Sequence, residues 1–365
     1  MSQVRRREAA SWRSFGLALS NILVFLVFLI AAVAAVAYFR LIASTSTVGV
    51  DFRATLYLSA KAVMHGVNPY PAPAAVTSSS YPAVYPPPVI LAAMPFALLT
   101  YHAAIATWEV LLAIALVLGL AVCGVRDWRC YVAAGLSFPV VNGLASGNVS
   151  LVIAGLCGFA WAWRHSLRGS LVLAATLVIK PILWPLIVWH LLRHRYRRAL
   201  ETASFAAVAC LVGWALIGFR GLTAYPALLR ADTRVAAHNG ISVVRILISA
   251  GFTVGLASVI GAVMGALLIW LAWRKGDDLD LFAAGMATAL VTSPIVFAHY
   301  FTVLLIPLAI RHPRFSWLWL IPFALWPIRY AYLPDHTRPV WTAFLGNALG
   351  RKPFRCVLPD AVGLT

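Results

Sequence analysis

The chain has 365 residues, of which 62% are hydrophobic and 11% are charged, and its 29 Lys and Arg against 11 Asp and Glu give a net charge of +18. Soluble domains carry about 25% charged residues, so an ordinary soluble enzyme is excluded. A basic excess on so apolar a chain points to a membrane and not to nucleic acid. The five cysteines stand singly without CxxC or ligand spacing, which indicates neither a disulfide framework nor a zinc site.

Arg5, Arg6 and Arg7 precede an apolar run from Phe15 to Phe39. A cleaved signal peptide has a core of only ~7–15 residues, so this run reads as a retained first span entering from the cytoplasm. Short cytoplasmic turns are enriched in Lys and Arg. Such turns are expected at Arg126–Arg129, Arg164–Arg168, Arg193–Arg198, Arg274–Lys275, Arg311–Arg314 and Arg351–Arg355. The stretch Ser170–Leu192 has basic clusters at both ends but holds only about one span's length, so two short helices meeting at Lys180–Pro181 are expected. Likewise Leu281–Ile310 is expected to break at Ser293–Pro294, which leaves His299 near the outer face. Such breaks are tolerated where they line a protein cavity. The map predicts an all-α polytopic protein with about 12 membrane passages and both termini inside. Residues 1–365 form one membrane domain. Its outer parts are a first loop at 43–102, a turn at Asn142–Asn148, a loop at 220–250 and a loop around Leu333–Pro339, and 351–365 form a cytoplasmic tail.

In the first outer loop, Phe52, Leu56, Ala60, Val63 and Met64 recur near helical spacing, which predicts an interfacial helix from Ala54 to His65, stopped by Gly66 and Pro69. Asp51 stands at its start, either as a backbone cap or as a catalytic carboxylate. Few acids face outward on this map: Asp51, Glu109, Asp232 and Asp335. That scarcity singles out Asp51, which is tethered close to the bilayer. A stiff Pro- and Tyr-rich stretch, Asn68 to Pro88, then leads to a second predicted surface helix, Val89–Leu99.

The order Asp51-Phe-x-x-Thr55, Gly66-Val-Asn-Pro-Tyr70, Val84-Tyr85-Pro86-Pro87 and Met94-Pro95 resembles the opening of glycosyltransferase family 87, whose members use polyprenyl-phosphate sugars. Ser146-Gly147-Asn148, Ala175–Lys180-Pro181 and Ser293-Pro294 with His299-Tyr300 are similar to later parts of that family. The resemblance runs from about residue 48 to 312. It implies a GT-C fold in the cell membrane and transfer of a sugar, mannose foremost, from a polyprenyl-phosphate donor to a glycolipid or glycan acceptor at the outer face. It also implies inversion at the anomeric carbon, with Asp51 as general base.

The residues themselves suit that chemistry. A hydroxyl nucleophile needs a carboxylate to accept its proton, and a leaving phosphate needs cations beside it. Lys180 lies in an apolar segment, where a charge costs ~2.5–3.5 kcal/mol. It either lines a wet cavity or pairs with Glu109. His299 is either a donor or acceptor contact or a bundle histidine. Arg245, in the stretch opened by Asn239, offers a bidentate phosphate ligand. Arg53, Tyr85, Asn148 and Asn239 complete the candidate substrate- and phosphate-binding set. No metal is expected, because the outward acids show no metal-ligand spacing, and the lipid-linked sugar is a substrate and not a cofactor. The broken helices also suit a competing reading as a lipid or sugar transporter.

Overall fold

The computed structural model describes residues 2–45, 47–77, 82–236 and 240–332. Asn239, the 333–339 loop and the 351–365 tail lie outside the described residues. Every described element is helical. Four helical segments are long and apolar enough to cross a membrane: Ser20–Ser44, Tyr101–Val122, Tyr196–Leu216 and Val254–Lys275. Five shorter apolar helices, Ser150–Ala162, Leu167–Ile179, Pro181–Leu192, Ala298–Arg311 and Trp317–Ile328, accompany them.

Large side chains such as Phe25, Ile30, Val33, Val259 and Val263 are exposed on the long helices. So wide an apolar exterior has lipid as its natural solvent. Between helices, small residues bring backbones together in place of a hydrophobic drive. A Cβ on Gly155 would lie 2.3 Å from the Ala115 carbonyl oxygen, and one on Gly119 would lie 2.5 Å from the Gly155 Cα. These glycines set Tyr101–Val122 directly against Ser150–Ala162.

The expected basic turns gather at one end of the bundle. Asp278 meets Arg164 at 3.1 Å, Arg193 at 3.6 Å and Arg195 at 2.7 Å. Arg311 reaches both Asp277 and Asp280. Asp127 pairs with Arg129 and accepts the Phe315 N–H at 3.0 Å. Loops far apart in sequence are thereby stapled to a common face.

Both expected breaks are present. The helix Leu167–Ile179 stops at Lys180, whose backbone is extended, and Pro181 opens a short 3-10 turn before the helix Pro185–Leu192. Pro181 lacks an N–H and disfavours the α region for the residue before it. The helix Asp278–Thr292 ends at Ser293, and the chain resumes as a 3-10 helix, Ala298–Leu304, followed by the helix Leu305–Arg311.

The first outer loop departs from its expected form. Its helix begins as a π-helix, Phe52–Tyr57, and becomes α-helical only over Leu58–Met64. The wider π turn lets Thr55, Leu56 and Tyr57 all bury alongside Phe52, where 3.6-residue spacing would have turned one of them outward. The second surface helix is two short ones, Pro87–Ala92 and Met94–Ala97, separated at Ala93. Ile90 is fully buried, and Pro88 packs so closely on Gly213 that a Cβ there would sit 2.5 Å from the proline Cδ. This segment is a wedge in the bundle and not a float on the surface.

Candidate active site

Two glycine turns build the site. Gly49 and Gly147 hold φ values of +68° and +67°, a left-handed region in which a side chain is strained. The Gly49 N–H donates to the Ala145 carbonyl at 2.8 Å. A Cβ on Gly147 would lie 2.9 Å from the Phe52 Cβ, and one on Gly49 would lie 2.4 Å from the Ile105 Cδ1. Trp108 fastens this contact: its ring stacks on Phe52 with centroids 5.1 Å apart, and its indole N–H donates to the Gly147 carbonyl at 2.8 Å. The first outer loop is thus locked against the turn between the helices Phe138–Ser146 and Ser150–Ala162.

That lock presents Asp51 to Asn148. The Asn148 amide donates to Asp51 Oδ2 at 2.8 Å. Asp51 occupies the N-cap position of the π-helix but makes no side-chain cap hydrogen bond, so the capping role is not the one its carboxylate plays. Burial pushes the Asp51 carboxyl above its ordinary range, while the hydrogen bond from Asn148, the charge of Lys180 and the Ser146 hydroxyl pull it back only in part. Replacing Gly147 with Val adds a Cβ where Phe52 stands and forces a left-handed backbone that costs about 1–2 kcal/mol. We expect a lower melting temperature, because the two turns no longer meet at the required spacing, and melting curves of the purified variant measure it.

On the far side of Asn148 stands Lys180. Its ammonium donates to Ser150 Oγ at 3.0 Å and to Asn148 Oδ1 at 3.4 Å, and lies 3.2 Å from the centroid of the Tyr300 ring. The Ser150 hydroxyl and backbone N–H both donate to the same Asn148 oxygen, at 2.7 and 3.0 Å. A continuous path therefore runs from the cation through Ser150 and Asn148 to the carboxylate. The alternative ion pair with Glu109 does not form: Glu109 Oε1 is buried without a hydrogen-bond partner.

His299 joins from the second helix break. Its Nδ1 lies 3.0 Å from Asn142 Oδ1, and the Asn142 amide donates to the Tyr38 hydroxyl at 2.9 Å. Its Nε2 is buried without a hydrogen-bond partner. Tyr85 is buried, and burial above all pushes its hydroxyl well above the ordinary tyrosine range, with smaller contributions from Tyr300 and Asp51. The Tyr85 carbonyl accepts from the Tyr70 hydroxyl at 3.0 Å, which anchors the proline-rich stretch.

Asp51, Asn148 and Lys180 thus share one hydrogen-bonded cluster, and His299 adjoins it through Tyr300, whose ring centroid lies 5.0 Å from the imidazole and beneath the Lys180 ammonium. Arg53 is placed elsewhere: it is exposed and lies over the Tyr101 ring, 5.4 Å from the centroid. Arg245 lies on the helix Val243–Ser249, capped by Ser242, and its guanidinium donates to Ser249 at 2.7 Å. It connects to the site through the 293–299 segment, because Ser242 donates to the Pro294 carbonyl and Ile241 to the Val296 carbonyl. Sequence reasoning did not single out Ser150, Asn142, Tyr38 or Tyr300 as site residues. Tyr300 adjoins His299 and Ser150 follows Asn148 by two residues, which is the available signal. Tyr38 sits in an apolar span and carries none.

The family model of glycosyltransferase family 87 matches residues 83–297, more than half of the chain. The chain belongs to glycosyltransferase family 87. No curated protein and no solved structure matches it. The matched region holds Tyr85, Asn142, Asn148, Ser150, Lys180 and Arg245, whereas Asp51, His299 and Tyr300 lie outside it. Those outside residues contact the matched region, Asp51 through Asn148, His299 through Asn142 and Tyr300 through Lys180, so the candidate site draws on both parts of the chain. The membership and the apolar helices together describe a membrane glycosyltransferase.

Proposed function

We propose that this membrane enzyme transfers mannose from a polyprenyl-phosphate donor to a glycolipid or glycan acceptor of the cell envelope, at the outer face of the cell membrane and with inversion. The observation that carries this reading is the hydrogen-bonded path from buried Lys180 through Ser150 and Asn148 to the half-buried Asp51, which sets a cation and a carboxylate in one cluster. Asp51 takes the proton from the acceptor hydroxyl as its oxygen bonds to the anomeric carbon. The bond from that carbon to the phosphate oxygen breaks, and the electron pair leaves on polyprenyl phosphate. Lys180 stabilises the charge that grows there. The raised Asp51 carboxyl suits a base better than an ordinary aspartate, because proton affinity grows with pKa.

A GT-C fold of about 12 passages is part of this proposal; the four long helices, the five short apolar ones and the broken helices that end at the site support a helical membrane fold. The gathering of basic turns at one end, away from the site, supports the reading that this end is cytoplasmic and the site faces outward. Mannose and the polyprenyl carrier rest on the motif resemblance.

The test is purified protein in liposomes with labelled polyprenyl-phosphate mannose and an extracted envelope glycolipid. Labelled product with inverted anomeric configuration, read by NMR, supports the proposal. A labelled solute or lipid that crosses the bilayer unchanged supports a transporter instead. Because Lys180 is the proposed phosphate partner, chelation is expected to leave the rate unchanged. Loss of activity with chelator and its return with a divalent cation would contradict that assignment.

A further inference from the structure

We propose that the cavity within the first outer loop is the subsite for an uncharged sugar ring of the acceptor, with the Ser59 hydroxyl as its polar anchor. This rests on the functional reading above and adds which part of the acceptor the enzyme grips. The cavity measures about 280 Å³, and its walls include Ala54, Ser59 and Ala62 on the loop-one helix and Pro69, Pro71 and Pro82 on the proline-rich stretch. That second wall is pinned at both ends. The Tyr70 ring packs against Trp214 with centroids 5.3 Å apart, and its hydroxyl donates to the Tyr85 carbonyl at 3.0 Å. The Tyr225 hydroxyl donates to the Val84 carbonyl at 2.6 Å. The space is therefore formed by the fold before any ligand arrives.

Ser59 sets this cavity apart. Serine and threonine inside a helix can turn their hydroxyls back onto the carbonyl four residues earlier, and Thr55, Thr107, Thr176 and Ser258 do so at 2.5, 2.8, 2.9 and 2.8 Å. Ser59 does not. It is only 4% exposed, and among the described residues its hydroxyl has no hydrogen-bond partner. A buried hydroxyl left unpaired is costly, and this one lines a ligand-sized space. Among the described residues no charged side chain lines that space, so a phosphate would find no counter-charge there. An alkyl chain would leave the Ser59 hydroxyl unpaired. A sugar ring meets both conditions, because its hydroxyls donate as well as accept and the proline wall brings carbonyl acceptors without N–H groups of its own. Sites for drug-sized ligands span about 300–1,000 Å³, so this volume suits one ring and not an oligosaccharide.

Position gives that ring to the acceptor. Ala54 follows Asp51 on the same helical segment, and Ser59 lies roughly 10–12 Å from Asp51 along the axis. Lys180, the partner of the donor phosphate in the functional reading, is reached from Asp51 only across Asn148. The acceptor thus presents one hydroxyl to Asp51 and is held by a ring further along the loop-one helix.

Two variants test this in the full-length enzyme in liposomes, with labelled polyprenyl-phosphate mannose and the extracted envelope glycolipid. Ser59→Ala removes the hydroxyl and keeps a strong helix former, and acceptor KM is expected to rise about fivefold, the effect of one neutral hydrogen bond. Ala62→Leu fills the cavity, and acceptor KM is expected to rise at least about tenfold. Donor KM and kcat should stay within about twofold in both. Saturation-transfer NMR of methyl mannoside on the purified enzyme reads binding without transfer; its signal should weaken in Ser59→Ala and vanish in Ala62→Leu. Acceptor KM and NMR signal that stay unmoved in both variants of an active enzyme overturn the subsite. A rise confined to donor KM also overturns it, by giving the cavity to the donor. An unmodified enzyme that transfers no sugar, while the NMR signal still depends on Ser59 and Ala62, overturns the functional reading and leaves the ring site standing, so the two failures are distinguishable.

Discussion

Asp51→Asn is expected to lower sugar transfer by about 10²–10⁴-fold, the contribution typical of a positioned general base. The substitution keeps shape and a hydrogen-bonding oxygen toward the Asn148 amide, so the folded protein should persist and the loss should fall on kcat. Transfer that survives in Asp51→Asn sinks the base assignment. The pH dependence carries a second check. A base works in its ionised form, and burial holds the Asp51 carboxyl above the ordinary aspartate value. Activity should therefore rise with pH through that raised value and be lost as pH falls through it, at a higher pH than an exposed aspartate would give. An acid limb at the ordinary aspartate value would place the titrating group elsewhere.

Lys180→Met is expected to be nearly as severe, at about 10²–10³-fold in kcat, the usual effect of removing one preorganised donor to a developing oxyanion. Its methylene stem is retained in Met, and the packing beneath the break at Pro181 should survive. The substitution also has a sign on Asp51. Lys180 pulls that carboxyl down, so its loss should move the residual acid limb to higher pH. A drop in rate with an unmoved limb would mean that the two groups are not coupled as the structure places them. Lys180→Arg should restore little, because a planar guanidinium does not fit a cage of one hydroxyl, one amide oxygen and one ring face as a compact ammonium does.

Both substitutions strike residues that sequence reading had already marked, for reasons that are local. A lone lysine before a proline in an apolar run is improbable unless it is used. An aspartate among few outward acids is conspicuous by composition alone. Proline also made the breaks at Lys180–Pro181 and Ser293–Pro294 legible, since its effect on the preceding residue and on the helix ladder needs no partner. The amphipathic repeat of the first outer loop identified its buried face through Phe52, Leu56 and Ala60. It did not identify the π turn, because that depends on what Phe52 and Tyr57 pack against.

Composition, charge and proline placement by themselves determined that this chain is a helical membrane protein, where its short helices break, and which ionisable residues are costly enough to be functional. Tertiary structure alone decided the company those residues keep. Asp51 meets Asn148 across 97 positions and His299 meets Asn142 across 157. Whether an outer arginine faces the site or a neighbouring ring was equally undecided by sequence, and Arg53 turned to Tyr101. The physical reason is that insertion cost and proline geometry act within a segment. A hydrogen bond between two segments exists only once glycine turns such as Gly49 and Gly147 have brought their backbones together.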